Sequence, residues 1–121
     1  MAYPYASTDD LKRYLRSNQD KITIGSESTD DLTLTELLLF IQDQAKILDE
    51  QMSAEGFTLS DETCRYIVIR WSAYEVYRSL YPRSSVNEIP LAVQGWKSDA
   101  DSKLIAMKEL NRLSPASLGG W

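Results

Sequence analysis

Eighteen carboxylates and a single thiol are the side chains of this 121-residue sequence most able to do chemistry. Adjacent carboxylates stand at Asp9/Asp10, Asp30/Asp31, Asp49/Glu50 and Asp61/Glu62, a pairing that general acid–base work or a hard cation can use. Most of these pairs fall where helix caps and first turns favour acids, because a helix N-terminus carries partial positive charge. Asp99 and Asp101 frame a helix start in the same way. The sequence contains no histidine, which removes the commonest general base, the commonest metal ligand and every Ser–His or Cys–His nucleophile pair. One cysteine, Cys64, can build neither a zinc site nor an internal disulfide. Placed inside a helix, it reads as a buried small hydrophobe and fits a reducing compartment. The glycines, at 25, 56, 95, 119 and 120, form neither a phosphate-cradling G-x-x-x-x-G-K-[ST] loop nor a G-x-G-x-x-G turn. The stretch D-D-L-T-L-T-E lacks the central glycine and alternating oxygen ligands of an EF-hand. These residues predict no enzyme, no metal and no cofactor.

The elements that would hold these groups are helical. Residues 60 to 81, SDETCRYIVIRWSAYEVYRSLY, predict a central helix with Ser60 as N-cap, closed by Pro82. Projected at 100° per residue, Tyr66, Ile69, Ala73, Val76, Tyr77 and Leu80 form one apolar flank, and Ile67, Trp71 and Tyr74 form another. Only a narrow strip, Asp61, Arg65, Ser72, Glu75 and Ser79, reads as polar. A helix apolar on two sides needs cover on two sides, and Trp71 is expected between a helical hairpin and the N-terminal helix.

That N-terminal helix is signalled by the capping box Ser7-Thr8-Asp9-Asp10 and the stripe Leu11, Tyr14, Leu15, over residues 8 to 16. Residues 21 to 25 (KITIG) alternate briefly, as a short extended piece would, and SESTDD at 26 to 31 is a loop. Thr33 with Glu36 makes a second capping box. From it runs the longest amphipathic stripe, Leu34, Leu37, Leu38, Ile41, Ala45, Leu48 and Met52, with Gly56 as C-cap. The expected core is Leu37, Leu38, Ile41, Leu48, Ile67, Trp71 and Tyr74. A thinner stripe, Phe40, Gln44, Ile47 and Gln51, reads first as a semi-exposed edge, with Phe40 and Ile47 as candidate partner contacts. Phe57-Thr58-Leu59 joins the two long helices into an antiparallel hairpin. Residues 83 to 95 read as a loop with a short turn or helix at its end. Trp96, a further candidate partner contact, follows, and a last helix is expected from Ser98 or Asp99 to Leu113. Ser114-Pro115 stops it. Pro115, Leu118, Gly119, Gly120 and Trp121 then make a flexible tail, residues 114–121, with Trp121 as a candidate aromatic anchor. The fold class expected is all-α, a small helical bundle in one domain spanning 1–121.

Bulk properties narrow the function classes. The hydrophobic content of 43% and charged content of 26% are those of an ordinary globular domain. No apolar run approaches the length of ~20 residues that a membrane span needs. The opening MAYPYASTDD has neither the basic nor the apolar region of a secretion signal. Residues 1 to 60 hold eleven acids against five bases, and residues 61 to 121 hold seven against eight. Such a balance argues against a surface built to grip phosphates. The arginines at 65, 70 and 78 are spread round the central helix, which speaks against a recognition helix in a DNA groove.

With these elements in order, the chain resembles the head–tail connector (adaptor or head-completion) proteins of tailed bacteriophages. The opening Tyr5-Ala6-Ser7-Thr8-Asp9-Asp10-Leu11 is similar to their Y-x-T/S-x-D-D-L start. Leu37 to Gln51 (LLLFIQDQAKILDEQ) resembles their first long helix, and Arg65 to Tyr81 with its finish Tyr77-Arg78-Ser79-Leu80-Tyr81 resembles the second. Asp99 to Leu113 is similar to the closing helix before a glycine-containing tail, here Leu118-Gly119-Gly120-Trp121; Ser84 to Gly95 aligns with no part of the pattern. The resemblance implies a structural subunit of the virion at the head–tail interface, assembled in the host cytoplasm as a ring, commonly of twelve. Its implied partners are further copies of itself, the portal protein, a tail or stopper protein, and DNA that passes down the channel without sequence-specific binding. A net-acidic surface suits such a channel, since phosphate binding would retard the DNA. The alternative class is a small helical bacterial regulatory or antitoxin-like module, and neighbouring genes separate the two.

Overall fold

The computed structural model describes residues 4–17, 34–80 and 89–113, which form four helices: α1 (Thr8–Ser17), α2 (Leu34–Glu55), α3 (Asp61–Leu80) and α4 (Leu91–Leu113). Among the described residues there is no strand, and the class is all-α. The possible extended piece at 21–25, the Thr33 cap, the Pro82 stop and the 114–121 tail lie outside the described residues.

Each helix start has a physical cause. At α1 the Ser7 hydroxyl accepts the Asp10 N–H at 3.1 Å and the Asp10 carboxylate accepts the Ser7 N–H at 3.0 Å, a reciprocal capping box. Leu11 and Leu15, one turn apart on α1, are buried in the core. Just before, Tyr5 sits at a φ of 72°, a conformation that strains a side-chain-bearing residue. Its hydroxyl donates to the Asp49 carboxylate on α2, which ties the entry segment to the bundle. At α3 the Ser60 hydroxyl accepts the Thr63 N–H at 3.2 Å, and Asp61 and Glu62 occupy the first turn. Gly56 ends α2 at a φ of 72°, with its own N–H and that of Phe57 donating to the Met52 carbonyl at 2.9 and 3.1 Å.

The connection from 56 to 60 is short, so α3 returns along α2. Residues 97 and 101 of α4 lie beside 74 and 71 of α3, while 108 and 111 lie beside 57 and 58, so α4 runs antiparallel to α3. Helices α1, α2 and α4 all pack on α3, and α1 also packs on α2. One apolar cluster takes residues from all four helices, among them Leu11, Leu37, Ile41, Leu48, Ile67 and Val93.

This arrangement corrects several expectations. The last helix starts seven residues before Ser98, at Leu91. Ile89, Val93, Trp96, Ala100 and Leu104 are all buried at helical spacing, so the stripe that the sequence shows clearly after residue 99 in fact begins at the Pro90 boundary. Pro90 supplies the first carbonyl, which accepts the Gln94 N–H at 3.0 Å, while the Gln94 amide donates to the Ile89 carbonyl at 2.7 Å. Leu38, expected in the core, is 38% exposed, because the α2 stripe runs through 37, 41, 45 and 48 and turns it outward. Ser72, placed on the polar strip, is fully buried, because three helices surround α3. Trp71 is buried as expected and is also tied to α4, its indole Nε1–H donating to Asp101 at 2.8 Å. Tyr74 is half-buried at the edge of the core.

Candidate docking groove

Because α2 and α4 pack on α3 rather than broadly on each other, a groove of about 500 Å³ lies between them. Gln44, Ile47 and Gln51, one line of α2, form the first wall, and Trp71 and Glu75 of α3 form the floor. The second wall is the α4 face bearing Lys97, Asp101, Leu104, Ile105 and Lys108. Ile47 and Ile105 stand at the lips, 42% and 60% exposed.

Most charges around the groove are already matched. Lys108 pairs with Glu55 at 2.7 Å, and the Asn111 amide donates to the Thr58 carbonyl at 2.9 Å, so α4 is pinned to the end of α2 there. Lys97 lies 3.8 Å from Asp101 and also over the rings of Trp71 and Tyr74, at 6.0 and 5.9 Å. Asp101 in turn accepts the Trp71 indole. Glu75, half-buried on the floor, has neither hydrogen bond nor ion pair among the described residues. The groove therefore offers shape, apolar lips and one unmatched carboxylate.

Arg70 stacks on Tyr66 at 3.4 Å and on Tyr14 at 4.9 Å, and Lys103 of α4 lies over Tyr66 at 5.6 Å, joining α1, α3 and α4. Burial raises the Tyr14 hydroxyl above its ordinary value of 10.0; Arg70 offsets part of this, and Asp99 and Tyr66 add to it. The Cys64 thiol is buried, 4.0 Å from the Leu59 carbonyl, and is raised above 9.0 by desolvation first and by Asp49 second. Among the described residues no group of three His, Cys, Asp or Glu could hold a metal ion. Among them, too, no helix is long and apolar enough to cross a membrane.

The residues singled out from sequence are dispersed. Leu37, Ile41, Leu48 and Ile67 are fully buried in the core. Trp71 is buried with its ring on the groove floor, and Ile47 is on the groove wall. Phe40 is partly buried against the core and is not part of the groove. Trp96, expected as a partner contact, is 4% exposed and meets Tyr14 edge to face, with ring centroids 5.6 Å apart; the early start of α4 turns it inward. Pro115, Leu118, Gly119, Gly120 and Trp121 lie outside the described residues. Sequence reasoning missed Glu75, Lys97, Asp101, Ile105 and Lys108 as one site. Their signal was present on α4, where 97, 101, 105 and 108 follow helical spacing, but only the fold brings them opposite Gln44 and Gln51.

Comparison of the chain with protein-family models, with curated proteins and with solved structures returns no match. What fold and groove define is a class: a small all-α bundle with an open face between two of its helices.

Proposed function

We propose that this chain is a structural, non-catalytic subunit of the head–tail connector of a tailed bacteriophage. It docks under the portal, assembles with further copies into a ring that extends the DNA channel, and offers an attachment face to the tail or stopper protein. The observation that supports the reading best is the groove, whose lips are the exposed apolar residues Ile47 and Ile105 and whose polar groups are largely engaged with one another. Such a surface serves association better than reaction, since exposed apolar side chains gain from being covered and mark interaction sites when they rim a groove. The resemblance in the order of helices and motifs supplies the particular partners. A ring of about twelve, DNA passing without sequence-specific contacts and a place in the virion belong to the same reading.

The chain is expected to be monomeric or weakly associated alone and to form its ring on the portal. Sedimentation at micromolar concentration, followed by electron microscopy with the portal protein encoded nearby, tests this. Rings seated coaxially on portals support the proposal. A chain that neither associates with portals nor assembles in their presence overturns it.

A further inference from the structure

We propose that the groove between α2 and α4 receives a helical segment of a partner protein that presents one apolar side chain and, one turn away, a lysine or arginine. This inference deepens the docking reading above and rests on it.

The groove has a direction. One end is closed by the Lys108–Glu55 bridge and the Asn111–Thr58 hydrogen bond. Towards the other end the floor passes from Trp71 to Glu75, one turn or about 6 Å along α3. The apolar part lies over Trp71, between Ile47 and Ile105. The charge lies beyond it. Lys97 and Lys108 are each matched by a carboxylate, which leaves Glu75 as the groove's uncompensated charge among the described residues. An uncompensated carboxylate on the groove floor attracts an occupant that brings a cation and repels one that brings an anion. A helix suits the space better than a strand, because the groove is bounded by helix side chains and offers no free backbone edge to extend. An apolar residue at position j and a cation at j+4 on that helix reproduce the spacing of Trp71 and Glu75.

The test is a titration of the full-length ¹⁵N-labelled chain, followed by NMR, with three amidated alanine-based helical peptides. One carries Leu and, four residues later, Lys; the others replace that Lys with norleucine or with Glu. The Leu/Lys peptide is expected to shift the Trp71 indole signal and the amides of Ile47 and Ile105. The Leu/Glu peptide should bind roughly three- to five-fold more weakly, the scale of a partly exposed ion pair. Glu75→Gln should abolish this difference and Glu75→Lys should reverse the order, each variant keeping the parent spectrum away from the groove. Three results overturn the inference. The Leu/Lys peptide leaves the groove signals unmoved at millimolar concentration; the three peptides bind alike whatever stands at residue 75; or the same signals move with protein concentration when no peptide is present, which places a second copy in the groove. Any of these, with portal rings still formed, removes this occupant and leaves the connector reading. Loss of portal association with the peptide preference intact does the converse.

Discussion

One substitution, glycine to alanine, is expected to have opposite signs at two positions of this chain. Gly95 lies inside α4 and Gly56 caps α2 at a φ of 72°. At neither position would an added Cβ meet any atom within 4 Å, so packing contributes nothing and backbone conformation decides. Gly95→Ala removes the excess freedom of glycine in the unfolded chain and should stabilise by about 0.8–1 kcal/mol. Gly56→Ala forces a Cβ into the left-handed region and should destabilise by about 1–2 kcal/mol. For a chain of this length, with an unfolding entropy of roughly 0.25 kcal/mol/K, these become a rise of about 3–4 °C and a fall of about 4–8 °C in Tm. Thermal unfolding by circular dichroism reads both, and urea unfolding should show displaced midpoints with unchanged m values. A fall in Tm for Gly95→Ala would refute the reasoning at its root, because it would mean that residues 91–97 are not helical.

Three further outcomes are expected. Trp71→Phe should cost about 1–3 kcal/mol, since it removes a donor to a carboxylate at 2.8 Å; a double-mutant cycle with Asp101→Asn should show a coupling of about 1 kcal/mol or more, and a coupling near zero would dissolve the contact. Ser72→Ala should leave Tm unchanged or raise it, because the Ser72 hydroxyl is fully buried with no partner among the described residues; a loss of more than about 1 kcal/mol would reveal a hidden partner. Stability should decline on the alkaline side: the folded state holds the Cys64 and Tyr14 protons more tightly than the unfolded state, so their contributions are complete below pH 9.0 and 10.0 respectively and are lost as pH rises through the higher folded values. Urea midpoints between pH 8 and 11 check this, and in Tyr14→Phe the part of the decline beginning near pH 10.0 should be shallower.

Local rules in the sequence carried the helices themselves. The Ser7–Asp10 box, the Ser60 cap, the Gly56 stop and the stripe of Leu37, Ile41 and Leu48 depend on hydrogen bonds and periodicity within a few residues, and all of these are legible without a fold. So is the all-α class, since each stripe has helical spacing. What a side chain faces is a different matter. Trp96 and Ser72 are buried, and Leu38 is turned outward, because of which helices lie beside theirs. The start of α4 was hidden for the same reason, since Pro90 and Gly95 are poor local signals and only burial of Ile89 and Val93 against the bundle outweighs them. The groove belongs wholly to tertiary structure. Gln44, Glu75 and Ile105 lie on three different helices, and no periodicity within one helix can show that two neighbours of α3 leave a gap between them. Sequence alone determined the all-α class, most helix caps and the poverty of reactive groups; the packing of α2 and α4 on α3 decided which side chains are core, which charges are matched, and where an open groove lies.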